Sequence, residues 1–183
     1  VGMGSTSTAV KANAIGIYLD GDNTSYIFGS NNFDLQSDIS GKVGIGGYLK
    51  GGATADGVVN VSSSLTALDG NGDPIRPVGL YYEAGSMDNT AAIFLYSDGT
   101  NPNQEVIGMY VTNTQNSTFT NSCYIDVYCK GIGAYYNGVD VTNSGIVTTT
   151  ADNAYGLFFK GGTSSSSGTI TVGGQGSMGV VSN

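Results

Sequence analysis

A five-residue word recurs along this chain and constrains its fold more than any other feature. In its C-terminal third the word is Ile132-Gly133-Ala134-Tyr135-Tyr136, then Tyr155-Gly156-Leu157-Phe158-Phe159, then Met178-Gly179-Val180-Val181-Ser182. Earlier copies are Ile15-Gly16-Ile17-Tyr18-Leu19, Ile45-Gly46-Gly47-Tyr48-Leu49, Val78-Gly79-Leu80-Tyr81-Tyr82 and Ile107-Gly108-Met109-Tyr110-Val111. The glycines of the seven copies are spaced 30, 33, 29, 25, 23 and 23 residues apart. A period of this size marks a solenoid, in which each repeat buries its apolar side only against its neighbours. The spacing predicts an all-β parallel β-helix of six to seven coils. The coils over 14–130 are long and irregular, with insertion loops in the N-terminal ones, and those over 131–183 are regular coils of 23 residues. The whole chain, 1–183, reads as one β-helical segment of a longer protein.

Side chains alternate along a strand, so the word predicts its own orientation. Positions one, three and five are mostly apolar and are expected inside. Position two is always Gly and position four is Tyr, Phe158 or Val181, and both are expected outside. If successive words pair in parallel about 4.8 Å apart, Tyr18, Tyr48, Tyr81, Tyr110, Tyr135 and Phe158 form an outward aromatic ladder beside a column of glycines.

Composition agrees with a β fold. Gly makes up 30 of the 183 residues, charged residues are 11%, and sustained helical periodicity is lacking. The formal net charge is −8, with Arg76 the single arginine, so the chain has no means of neutralising a phosphate backbone and nucleic acid is excluded as a partner. No run of apolar residues reaches the length of a membrane span.

The segments between words set further expectations. Tyr26-Ile27-Phe28, Phe33-Asp34-Leu35, Val58-Val59-Asn60-Val61 and Ala91-Ala92-Ile93-Phe94-Leu95-Tyr96 read as strands, and three short strands per coil would give a triangular section. The cysteines bracket Cys123-Tyr124-Ile125-Asp126-Val127-Tyr128-Cys129. As one extended strand this would hold them about 20 Å apart, far beyond disulfide reach. Asp98-Gly99-Thr100-Asn101-Pro102-Asn103 is a turn, and Ser164–Ser167 reads as a flexible turn. Asp140-Val141-Thr142-Asn143-Ser144-Gly145-Ile146-Val147 corresponds to Thr163-Ser164-Ser165-Ser166-Ser167-Gly168-Thr169-Ile170-Thr171-Val172 one coil later.

Chemistry is sparse. Without His, a Ser or Cys nucleophile would need Lys, Asp or Glu as its base, and no nucleophile motif is present. Asp34, Asp38, Asp126, Asp140 and Asp152 stand singly, unlike the paired carboxylates of polysaccharide-cleaving β-helices. Asp69-Gly70-Asn71-Gly72-Asp73-Pro74 begins like a calcium loop, with Asp69, Asn71 and Asp73 at alternate positions. It then departs from the pattern at Pro74 and Leu80, so a solvated turn is expected. No cofactor is indicated, and the chain reads as a non-enzyme. The aromatic ladder is the candidate binding site.

The run from Gly131 to Asn183 resembles the passenger repeats of large autotransporter adhesins, especially the fusobacterial type. The residues that carry the likeness are Val-Thr-Asn-Ser-Gly-Ile-Val at 141–147, Ser-Gly-Thr-Ile-Thr-Val-Gly-Gly at 167–174 and the following Met178-Gly179-Val180. The resemblance implies display on the outer surface of a diderm bacterium, anchored through a barrel domain that this chain lacks. It also implies attachment to a protein or glycan receptor on host cells or other microbes. A passive stalk, a self-assembling filament subunit and a polysaccharide-cleaving β-helix are the alternatives.

Overall fold

The computed structural model describes residues 7–21, 24–65, 67–83, 87–96, 104–112 and 118–183. The turn expected at Asp98–Asn103 lies outside them. The described residues form strands, turns and bends, with no helix, so none is long and apolar enough to cross a membrane.

In chain order the first strands are β1 (Ser7–Val10), β2 (Ile15–Asp20), β3 (Ser25–Gln36), β4 (Ile45–Lys50) and β5 (Thr54–Leu65). A small hairpin follows, β6 (Ala67–Leu68) and β7 (Pro74–Ile75). Then come β8 (Val78–Glu83), β9 (Met87–Leu95), β10 (Ile107–Thr112), β11 (Thr118–Asn121), β12 (Ile125–Val127) and β13 (Ile132–Asn137). The last are β14 (Asp140–Asn143), β15 (Val147–Thr149), β16 (Tyr155–Lys160), β17 (Ser164–Ser166), β18 (Ile170–Val172) and β19 (Met178–Ser182).

Every copy of the word is a strand, and all seven lie in one sheet ordered β2-β4-β8-β10-β13-β16-β19. Each pairs in parallel with the copy before and after it, and the register sets Tyr18 on Tyr48, Tyr81 on Tyr110 and Tyr135 on Phe158. The remaining strands outside the hairpin form a ten-stranded sheet, again with parallel pairing. The chain therefore alternates between the two sheets, and each strand meets its equivalent from the next repeat. Among the described strands, only the hairpin β6–β7 pairs antiparallel.

The second sheet changes character along the molecule. In its first half, β3 and β5 are single twelve-residue strands. From β9 onward the same path divides, because β9 pairs with both β11 and β12, which continue as β14 and β15 and then β17 and β18. Three short strands per repeat are thus present from β10 onward, and two longer ones before it. The bend that divides the path falls at Ser122–Tyr124, so the cysteine segment is a three-residue strand with a corner on each side rather than one extended strand. Both cysteines are free, Cys129 buried and Cys123 partly so. Ser164–Ser166, expected as a turn, is also a strand, held to Val141–Asn143 by backbone pairing that outweighs the weak β preference of serine.

The core lies between the sheets. Positions three and five of the word supply Leu80, Tyr82, Met109, Ala134, Tyr136 and Leu157, opposite Phe33, Val61, Ile93, Leu95, Ile125 and Val147. Position one does not join them. Val78, Ile107 and Ile132 form a separate outer cluster with Tyr81, Tyr110, Tyr135 and Phe158. The glycines at position two, expected outside, face the core instead, and Gly46, Gly79, Gly108, Gly133 and Gly156 are buried. A Cβ on Gly108 would come within 2.6 Å of Leu95 Cδ1 and 2.6 Å of the Gly133 carbonyl oxygen, and one on Gly79 within 2.6 Å of Val61 Cγ2. Positions two and three thus both turn inward, a kink shared by every paired copy. The kink breaks simple alternation and lets the second sheet approach the first.

Candidate functional site

The expected aromatic ladder is present and continuous. Ring centroids are 5.5 Å apart for Tyr18 and Tyr48, 4.9 Å for Tyr48 and Tyr81, and 5.1 Å for Tyr81 and Tyr110. They are 5.1 Å apart for Tyr110 and Tyr135 and 4.9 Å for Tyr135 and Phe158, with the planes of those last two pairs 5° and 8° from parallel. The rings rest on the position-one aliphatic row, not on the glycines. Burial on one flank pushes the Tyr81 phenol up, and at the end of the row a hydrogen bond to Asp20 does the same for Tyr18.

Stacking decides what this ladder can offer. A sugar ring packs on the face of an aromatic, and here the faces of the inner rings are covered by their neighbours. What reaches solvent is the row of ring edges and hydroxyls. Alongside it runs the polar sixth position, where Asp20, Lys50 and Glu83 are register neighbours and Asn137 Nδ2 donates to Tyr110 Oη at 3.1 Å. Tyr96 and Tyr128 make a second stacked pair on the other sheet, at 5.3 Å, with 43% and 45% exposure.

The calcium-like stretch is the tip of the β6–β7 hairpin. Asp69 Oδ1 accepts the backbone N–H groups of Asn71 at 2.8 Å and Asp73 at 2.9 Å, so its carboxylate closes the turn. Those hydrogen bonds hold its pKa below the ordinary value. Among the described residues no group of three or more His, Cys, Asp or Glu could hold a metal ion.

Two features escaped sequence reasoning. Inside the molecule Asn89, Asn121 and Asn143 form a buried amide ladder. Asn89 Nδ2 donates to Asn121 Oδ1 at 2.9 Å, Asn121 Nδ2 to Asn143 Oδ1 at 2.8 Å and Asn143 Nδ2 to Ser166 Oγ at 3.1 Å. Tyr82 Oη caps its other end by donating to Asn89 Oδ1 at 3.0 Å. The signal was legible as Asn89-Thr90-Ala91, Asn121-Ser122-Cys123, Asn143-Ser144-Gly145 and Ser166-Ser167-Gly168.

The second feature is a charged cleft. Two residues before the word, successive repeats place Arg76, Glu105, Lys130 and Asn153, which share one cleft of about 450 Å³. Glu105 is ion-paired to both Arg76 and Lys130. Asp34, Asp38, Asp126, Asp140 and Asp152 do not line this cleft, whereas Asp73 of the calcium-like stretch does. No family model, curated protein or solved structure matches the chain.

Proposed function

We propose that the two parallel sheets are faces of a parallel β-helix, and that the chain is a non-enzymatic, surface-displayed segment of a bacterial adhesin. The observation that carries this reading is the six-membered aromatic row, which runs across repeats on one outer face and is edged with phenol hydroxyls and alternating polar residues. Exposed aromatic edges with a hydroxyl suit an interface with a protein or glycan receptor, because they combine apolar area with a directional hydrogen bond. The likeness of 131–183 to autotransporter passenger repeats points the same way.

The test is a glycan and cell-binding screen of this chain beside the triple variant Tyr48→Phe, Tyr81→Phe, Tyr110→Phe. Phenylalanine preserves the stack and removes only the hydroxyls, so folding stays intact while the polar rim is lost. Binding by the parent that drops about tenfold in the variant supports an adhesive ladder, since a lost hydrogen bond at an interface costs about that much. Undiminished binding removes the ladder from the site. A second reading, a passive stalk, is favoured by the covered ring faces, and a chain that binds nothing in the screen would support it.

A further inference from the structure

The charged cleft carries an inference independent of the aromatic ladder. The Glu105 side chain is only 5% exposed, and a buried carboxylate needs a counter-charge. It has two. Arg76 Nη2 lies 2.5 Å and Lys130 Nζ 2.6 Å from its oxygens. With Asp73 also on the lining, the two cations and two carboxylates of the cleft balance, and what sets it apart is two cations side by side on one wall, in a chain with a formal net charge of −8 and only six Lys and Arg. Both cations also remain in contact with solvent, at 30% and 40% side-chain exposure, and both line the cleft.

The other walls have a different chemistry. Pro74, Ile132 and Tyr155 supply apolar surface, and Asn153 supplies an amide. Tyr155 stands at position one of its copy, off the ladder, where strand register sets Ile132 and Met178 beside it rather than rings. The volume of about 450 Å³ falls within the range of roughly 300–1,000 Å³ usual for small-ligand sites.

We infer that this cleft is a subsite for a single sugar residue that carries a carboxylate, a uronic or a sialic acid. Arg76 and Lys130 take the carboxylate, Asn153 and Asp73 meet hydroxyls, and Tyr155 with Ile132 packs against the apolar edge of the sugar ring. Glu105 is a positioning residue, which fixes the guanidinium and the ammonium side by side. Two cations held side by side suit a single carboxylate, whereas Glu105 and Asp73 repel a phosphate dianion.

The experiment is a 1H–15N NMR titration of the intact chain with D-glucuronate, N-acetylneuraminate, neutral glucose and acetate. The expected result is saturable shifts of the Gly131, Ile132 and Asn153 amides with at least one acidic sugar, and at least tenfold weaker effects from glucose and acetate. Which acid binds identifies the source. Lys130→Gln leaves Arg76 on Glu105 and is expected to weaken binding about tenfold, the loss of one charge-assisted contact. If that variant unfolds, added sodium chloride takes its place, and affinity must fall as salt rises. The inference is overturned by an absence of saturable shifts at these amides, by glucose acting equally well, by full binding in Lys130→Gln, or by salt-independent affinity.

Discussion

Tyr82 and Tyr136 occupy the same place in the word and are both fully buried, yet their hydroxyls have different fates. Tyr82 Oη caps the amide ladder, whereas Tyr136 Oη finds no hydrogen-bond partner among the described residues. A buried unpaired hydroxyl costs roughly 1–3 kcal/mol, and a made one contributes about 1 kcal/mol. Tyr136→Phe, which copies Phe159 of the next repeat, is therefore expected to hold or raise stability. Tyr82→Phe is expected to lower it by about 1–3 kcal/mol, because Asn89 Oδ1 loses its donor. Denaturant unfolding of the two variants side by side measures the contrast. The same burial makes the molecule sensitive to alkali. It pushes the Cys129 thiol up from 9.0 to about 12 and raises both buried phenols. Each of these groups is neutral in the folded chain and loses its proton more readily in the unfolded one. Their contribution is complete below the unfolded pKa and drains away as pH climbs toward the folded one. The thermal midpoint should fall between pH 9 and 12, and Cys129→Ala should flatten the early part of the decline.

At the scale of the strand, the glycine column sets how closely the sheets approach. Gly108→Ala would put a methyl group 2.6 Å from both Leu95 Cδ1 and the next copy's carbonyl oxygen, and the second of these is backbone that cannot step aside. Overpacking of this kind costs roughly 1–3 kcal/mol, so the variant should unfold at clearly lower denaturant, while Gly138→Ala, with nothing near its Cβ, tests only the strain of a left-handed backbone. These strands also show what could be read beforehand. The word, its register and its aromatic ladder were legible, because Tyr in five copies at one position betrays a stacked row. The glycine's direction was not, since a residue without a side chain carries no polarity from which to judge a face. Strict alternation then misplaced position one as well. Ser164–Ser166 misled for a similar reason: serine alone suggests a turn, and only the neighbouring strand makes it one rung of a sheet. The charged cleft was hidden because Arg76, Glu105 and Lys130 lie 29 and 25 residues apart, and they come together only when the chain is read down the repeats rather than along them.

Across the described residues, burial is deepest in the middle. Leu80, Met109 and Ala134 have no exposed surface, whereas Ile15 at one edge of the first sheet and Met178 and Val180 at the other are about half exposed. Stability in such an array is a sum of repeat terms and neighbour terms, so outer repeats open more easily than inner ones. Hydrogen exchange on this chain should find the slowest amides in β8, β10 and β13 and progressively faster ones toward β2 and β19. Uniform protection throughout would mean that the repeats open together as one unit.

The parallel pairing has a mechanical side. Backbone hydrogen bonds run from one repeat to the next, as from Ile107 N to Pro77 O and from Tyr155 N to Gly131 O. A pull applied across the stack therefore strains these contacts in series, and the outermost rung gives way before the ones behind it. Each regular repeat released, 23 residues long, pays out roughly 80 Å of extended chain. A tether built this way would yield in steps under tension and rewind when the tension eases, so it could lengthen many times over without breaking.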